Sequence, residues 1–279
     1  MAQPSKPTKP KILTICLALA LTIVGIASFP ILGKTPSPKS GTAGNRAGPA
    51  ADQRIDPDAI AILNKMGGYL RSLKAFQIHS VTRREDVLDD GEKIEYDGVV
   101  DLLARQPDRL RIEVDNDRQH RLYLYDGKTF TLWAERVNYY ATVAAPPTIG
   151  QLSDELYSKF GIDVPLGDLF LWGTPRSKVD EITAATDIGP SPVEETTCEQ
   201  YAFRQAGLDW QIWIQQGDFP LPRKFVITTL TDDARPQYSA VLTWSLAPSF
   251  DEAAFTFDPP KGAQKIVFAG VRSSPSNER

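Results

Sequence analysis

Between Tyr96 and Tyr140 apolar and polar residues alternate with a period of two, and short Pro, Asn, Asp and Gly clusters interrupt the alternation. Leu110, Ile112 and Val114 fall on one side of an extended chain, with Arg109, Arg111, Glu113 and Asp115 on the other. Leu122 and Leu124 separate in the same way from Arg121, Tyr123 and Tyr125, and Phe130 and Leu132 from Thr129, Thr131 and Trp133. Side chains on a strand point alternately to opposite faces, so each run predicts a strand with one buried face. The breaks at Gln106-Pro107-Asp108, Asp115-Asn116-Asp117 and Asp126-Gly127-Lys128 are turn chemistry, and Asp-Gly between alternating runs marks a hairpin because Gly accepts positive φ without steric cost. A curled antiparallel meander follows, and function is expected on whatever its concave side encloses.

Before the meander comes a chain of quite different character. Lys6, Lys9 and Lys11 precede an apolar run from Ile12 to Gly33, the plan of an export signal. Gly25-Ile26-Ala27 places small residues for cleavage after Ala27, yet the run also approaches the roughly 20 apolar residues that span a bilayer. Residues 1–33 are therefore expected to act as a signal peptide or as a signal anchor with the lysines on the cytoplasmic side. Cys16 does not make a lipobox, because bulky Ile15 precedes it. Residues 34–55, rich in Pro, Ser, Gly and Ala, read as a flexible linker.

The folded domain is expected over residues 56–270, with a disordered tail at 271–279. Asp56 can cap a helix that Pro57 begins, and Ile62, Leu63, Met66, Leu70 and Leu73 make a stripe at helical spacing, weakened by Gly67-Gly68. Such a helix should pack across the concave side of the meander, as a fixed plug or a lid. A second helix is expected from Thr148 to Phe160 and a short helical turn at Gly167–Leu171. Strand patterning resumes around 181–188, 196–204, 208–215, 224–230 and 238–246. Roughly ten strands, with helices only before and between them, predict a mainly β (α+β) fold, a large and partly closed antiparallel barrel.

Bulk properties narrow the function. The net charge of −4 hides an asymmetry: residues 1–55 carry seven basic groups and one acidic, a net of +6, so the remainder carries −10. An acidic body is a poor partner for a polyphosphate, and nucleic acid is not expected. Cys16 lies in the leader, so Cys198 is alone in the body, which excludes an internal disulfide and a zinc site built on thiolates. His79 and His120 sit on different strands, and no HExxH, GxSxG, Walker or GxGxxG pattern occurs. The acidic pairs Asp89-Asp90, Asp154-Glu155, Glu194-Glu195 and Asp232-Asp233 lie in turns or helix starts, and Asp126 in a hairpin turn. An enzyme is not expected, and neither a cofactor nor a metal.

Several segments resemble a known family when taken in order: L-L-A-R-Q-P-D-R-L-R-I-E-V, R-L-Y-L-Y-D-G-K-T-F-T-L-W, N-Y-Y-A, P-L-G-D-L and F-T-F-D-P-P-K-G-A-Q-K-I, within a resemblance that covers about Asp56 to Phe268. They are similar to DUF2092, a family of predicted periplasmic proteins in the fold group of the lipoprotein carrier LolA and the acceptor LolB. The resemblance implies an unclosed antiparallel half-barrel with helices across its mouth and a hydrophobic cavity for acyl chains. The aliphatic and aromatic residues Leu110, Ile112, Leu122, Leu124, Phe130, Trp133, Trp210 and Trp244 are the expected lining, with Tyr123, Tyr125 and Trp213 as further aromatic candidates. The expected partner is a lipid or acylated protein, bound in the periplasm or beside the inner membrane if residues 12–33 are retained. The alternative is an envelope signalling or scaffold module that binds a partner protein through the sheet edge or helices, which predicts a fully packed interior.

Overall fold

The alternating runs become a continuous sheet in the computed structural model, which describes residues 55–270. The expected leader, the tail, and the linker apart from Ile55 lie outside the described residues. The elements run α1 (Pro57–Ser72), β1 (Ala75–Val87), β2 (Lys93–Arg105), β3 (Arg109–Asn116), β4 (Gln119–Tyr125), β5 (Thr129–Ala134), β6 (Tyr139–Ala144), α2 (Ile149–Phe160), β7 (Ala184–Pro190), β8 (Cys198–Gln205), β9 (Leu208–Gln215), β10 (Pro222–Thr229), β11 (Gln237–Ser245) and β12 (Gln264–Lys265). Twelve strands form one sheet, in the order β12-β6-β5-β4-β3-β2-β1-β11-β10-β9-β8-β7. Two meanders are thus sewn together where β11 returns to pair with β1. The sheet does not close, so the fold is an unclosed half-barrel. The sheet has two strands more than the ten expected, and one of them, β12, is too short to show any periodicity.

Every pairing among β1–β11 is antiparallel, whereas both outermost ones are parallel: β12 on β6 at one edge, and a bridge from Ile55 to Ala185 of β7 at the other. Helix α1 starts beside β7, where the Asp56 backbone N–H donates to Ala185 O, and its Asp56 cap accepts from Asp58 N at 2.9 Å. It ends at the β2–β3 turn, where Gln106 Nε2 donates to Leu70 O and Leu73 O. The helix therefore crosses the concave face, burying Ala59, Leu63, Met66 and Leu70. Helix α2 is capped by Thr148, buries Ile149, Leu152 and Leu156, and stops at Gly161, whose φ of 63° suits a residue without Cβ.

After β11 the chain straps the outer face of the first meander. Glu252 forms ion pairs with Arg105 and Arg109, Phe257 packs on Trp133 and Tyr140, and β12 then turns the edge so that Phe268 meets Phe130 and Phe160. The outer face also carries His120, held between Glu113 (Nε2 to Oε1, 2.8 Å) and Glu135. Partial burial opposes its protonation, but the Glu113 hydrogen bond and the Glu135, Glu113 and Asp115 charges prevail and raise its pKa above the ordinary 6.5.

Gly67 explains the weak centre of α1. A Cβ there would lie 2.6 Å from Gly173 N and 2.9 Å from the Trp172 carbonyl carbon, so the chain after α2 can lie against the helix only over a glycine. Gly68 meets only Arg71 Nη2, at 4.0 Å. Gly67→Ala should cost about 1–3 kcal/mol by overpacking, while Gly68→Ala should gain about 0.5–1 kcal/mol from helix propensity, as read by urea unfolding. For His120 the raised folded pKa means its stabilisation is full below the unfolded pKa near 6.5 and is lost as pH rises through the folded value. Relative to His120→Gln, the wild-type protein should lose about 0.2–1 kcal/mol between pH 6 and pH 8.5, since the pair is partly exposed.

Candidate functional site

Inner positions change character along the strands. At the α1 and α2 end they are Phe76, Ile78, Leu102, Ala104, Leu110, Ile112, Tyr125 and Phe130, all buried in the main core with the helices. Toward the other end β1 continues with Thr82, Arg84 and Asp86, β2 with Gly98, Tyr96 and Ile94, and β3 with Val114 and Asn116. Neither α1 nor α2 fills that end. It encloses a cavity of about 480 Å³ whose apolar wall includes Val100, Val114, Leu132, Ile212, Phe225 and Ile227. The roof is the segment 161–169 that follows α2, together with Trp172, and no residue of α1 lines the cavity.

The expected lining residues divide three ways. Trp210 lines the cavity; its ring stacks on Phe203 with centroids 4.2 Å apart, and its Nε1 donates to Gln205 Oε1 at 2.8 Å. Leu110, Ile112, Phe130 and Trp244 share that inner face but pack at the plugged end, where Trp244 Nε1 donates to Pro222 O. Leu122, Leu124 and Trp133 point to the outer face. The β3–β4 register sets Ile112 opposite Tyr123 and Glu113 opposite Leu122, so the tyrosines, not the leucines, continue the inner face. Trp133 pairs with Leu122 and lies under the C-terminal strap with Phe257. Of the further aromatics, Tyr123 lines the cavity, Tyr125 is packed with its hydroxyl donating to Pro146 O, and Trp213 faces outward beside buried Cys198.

Sequence reading missed the polar rim, which comes from the β1–β2 and β3–β4 ends. Arg84 pairs with Asp86 at 2.7 Å, and the Arg118 guanidinium lies 4.3 Å from the centre of the Tyr96 ring. Arg121, opposite Val114 and Ala134, points inward. A second space of about 530 Å³ adjoins the first between α2, the 163–182 segment and β8–β9. Asp163, Val164, Asp168, Trp172 and Trp210 line both. Burial, reinforced by the neighbouring Asp163 charge, pushes the Asp168 carboxyl up to about 7. In the second space the cations are paired, Arg176 with Asp154 at 3.0 Å and Lys178 with Glu181 at 3.7 Å.

Other side chains weighed from sequence are structural. Asp126 accepts from Lys128 N, Thr129 N and Thr129 Oγ1, so although burial raises its pKa these bonds bring it below the ordinary value. His79 pairs with Asp101 on the surface at 2.7 Å, and burial pushes the Cys198 thiol up. Among the described residues no group of three or more His, Cys, Asp or Glu is placed to hold a metal ion, and no helix is long and apolar enough to cross a membrane.

No curated protein matches this chain at a significant level. Among solved structures it is similar to an uncharacterized conserved protein from Thermus thermophilus (13% identity, 75% of this chain and 99% of that one, TM-score 0.44). It is also similar to LprF from Mycobacterium bovis (13% identity, 70% and 96%, TM-score 0.42). A third is a LolA superfamily protein from Nitrosomonas europaea (13% identity, 71% and 97%, TM-score 0.28). Residues 59–269 match the family described as "Predicted periplasmic protein (DUF2092)", and this chain belongs to that family.

Proposed function

We propose that this chain is an exported, non-catalytic binding protein that shields a lipid or a lipoprotein acyl chain in its half-barrel. The observation that carries the reading is the cavity of about 480 Å³ at the end of the sheet left uncovered by α1 and α2. Its size suits a small-ligand site, and its wall supplies apolar area without any catalytic grouping. Burial is worth ~0.8 kcal/mol per methylene, so a chain of about twelve carbons brings on the order of 10 kcal/mol gross before the costs of association. The scaffold alternative expects a filled interior, and the cavity weighs against it. Residues 12–33 would deliver the domain to the periplasm or hold it at the inner membrane. The segment 161–169 roofs the cavity and takes the lid role that the sequence suggested for α1.

Native mass spectrometry on the full chain, purified in the presence of its own membranes, should show a bound species of acyl-chain mass that a fatty acid displaces. Leu132→Asp, on the cavity wall, should lower retained lipid by about tenfold or more, because a charge would have to be buried without a partner. Trp133→Ala, on the outer face, should leave lipid retention unchanged. A clean unliganded mass with no later uptake of a fluorescent fatty acid would remove the carrier reading.

A further inference from the structure

We propose that the occupant of the cavity is an anionic amphiphile, its chain between the sheet and the 161–169 roof and its phosphate or carboxylate head held at the β3–β4 turn by Arg118 and Arg121. The inference rests on the carrier reading and adds the chemistry of the head group. Along β4 the inner positions step from Tyr125, packed in the core, through Tyr123 on the cavity wall, to Arg121 at the rim. A chain lying against Tyr123 and Leu132 therefore ends beside a guanidinium.

Arg118 occupies the two-residue turn, and its position over the Tyr96 ring keeps it on the inner side, since Tyr96 lines the cavity too. Among the described residues neither guanidinium has an ion-pair partner. Of the acids that line the cavity, Asp86 is engaged by Arg84 and Asp97 by Arg83 at 3.0 Å, while Asp163 and Asp168 belong to the opposite, roof side; Asp117 shares the turn with Arg118 but does not line the cavity. Two arginines without ion-pair partners, one of them resting on the Tyr96 ring, thus stand at the mouth of an apolar cavity. Guanidinium forks match oxyanions with charge-assisted hydrogen bonds.

The test uses four ligands with one twelve-carbon chain, each below its micelle concentration, titrated into the delipidated full-length protein by calorimetry: dodecanoate, dodecyl phosphate, dodecanol and dodecyltrimethylammonium. At least one anionic head should bind about tenfold or more tighter than dodecanol, and which one does so separates a carboxylate from a phosphate ligand. In Arg118→Gln/Arg121→Gln that advantage should vanish while dodecanol affinity stays the same, which also shows that the variant is folded. Equal affinity for all heads, a preference for the cationic head, or an anionic preference that survives in the double variant would overturn the head-group proposal and leave the carrier reading standing. Binding of none of the four would overturn both.

Discussion

The half-barrel depends on the seam between β1 and β11, strands separated by most of the domain. β1 pairs with β2 along its whole length, and from Gln77 to Arg84 it pairs on its other side with β11. The inner positions meet there as Ile78 with Trp244, Ser80 with Leu242 and Thr82 with Ala240, and Trp244 also packs against Phe76 with ring centroids 5.3 Å apart. Without the seam there would be two meanders, each too small to wrap α1. With it, one curved surface extends from β7, where α1 begins, to the β2–β3 turn, where α1 ends. A contact this non-local pays loop-closure entropy before packing rewards it, so the seam is expected to form late in folding.

That curvature creates a surplus of inner surface, and the two helices cover only part of it. The apolar residues at the covered end, from Phe76 to Phe130, are matched by Leu63, Met66 and Leu70 of α1 and by Leu152 and Leu156 of α2. Beyond them the strands continue, but their inner positions become a mixture of aliphatic, aromatic, polar and charged side chains, Arg84, Asp86, Asn116 and Arg121 among them. A surface of that kind is neither a core nor an ordinary solvated face. The same sheet thus serves as scaffold at one end and as receptacle at the other, with segment 161–169 as the boundary between them.

Strand positions and turns were legible in the sequence because period-two alternation and Asp-Gly punctuation are local. The face of each strand relative to its neighbour was not, because it is set by the parity of the turn. Placing the β3–β4 break at Asp115-Asn116-Asp117 hides the two-residue turn at Asp117-Arg118; counting outward from that turn pairs Leu110 with Tyr125 and sends Leu122 and Leu124 outward. Hydrophobicity alone favoured the leucines, and the strap that packs on the outer face at Trp133 and Tyr140 is aperiodic, so nothing local announced that this face was also buried. Leu110, Ile112 and Phe130 fail as cavity residues for another reason: alternation identifies a face but not how far along it the helices reach. Trp210 does line the cavity, because it lies near the boundary.

An unclosed sheet has two edges, and each is a template for another chain. Here the outermost pairings, Ile55 on β7 and β12 on β6, are both supplied by the ends of the described chain, and β7 is further interrupted by a register shift between Asp187 and Gly189. Ile55 and β12 act as stoppers. A protease cut just after Ile55 or just before Gln264 would bare a strand edge as a seed for edge-to-edge aggregation, and the second cut would also free Phe268 from Phe130 and Phe160.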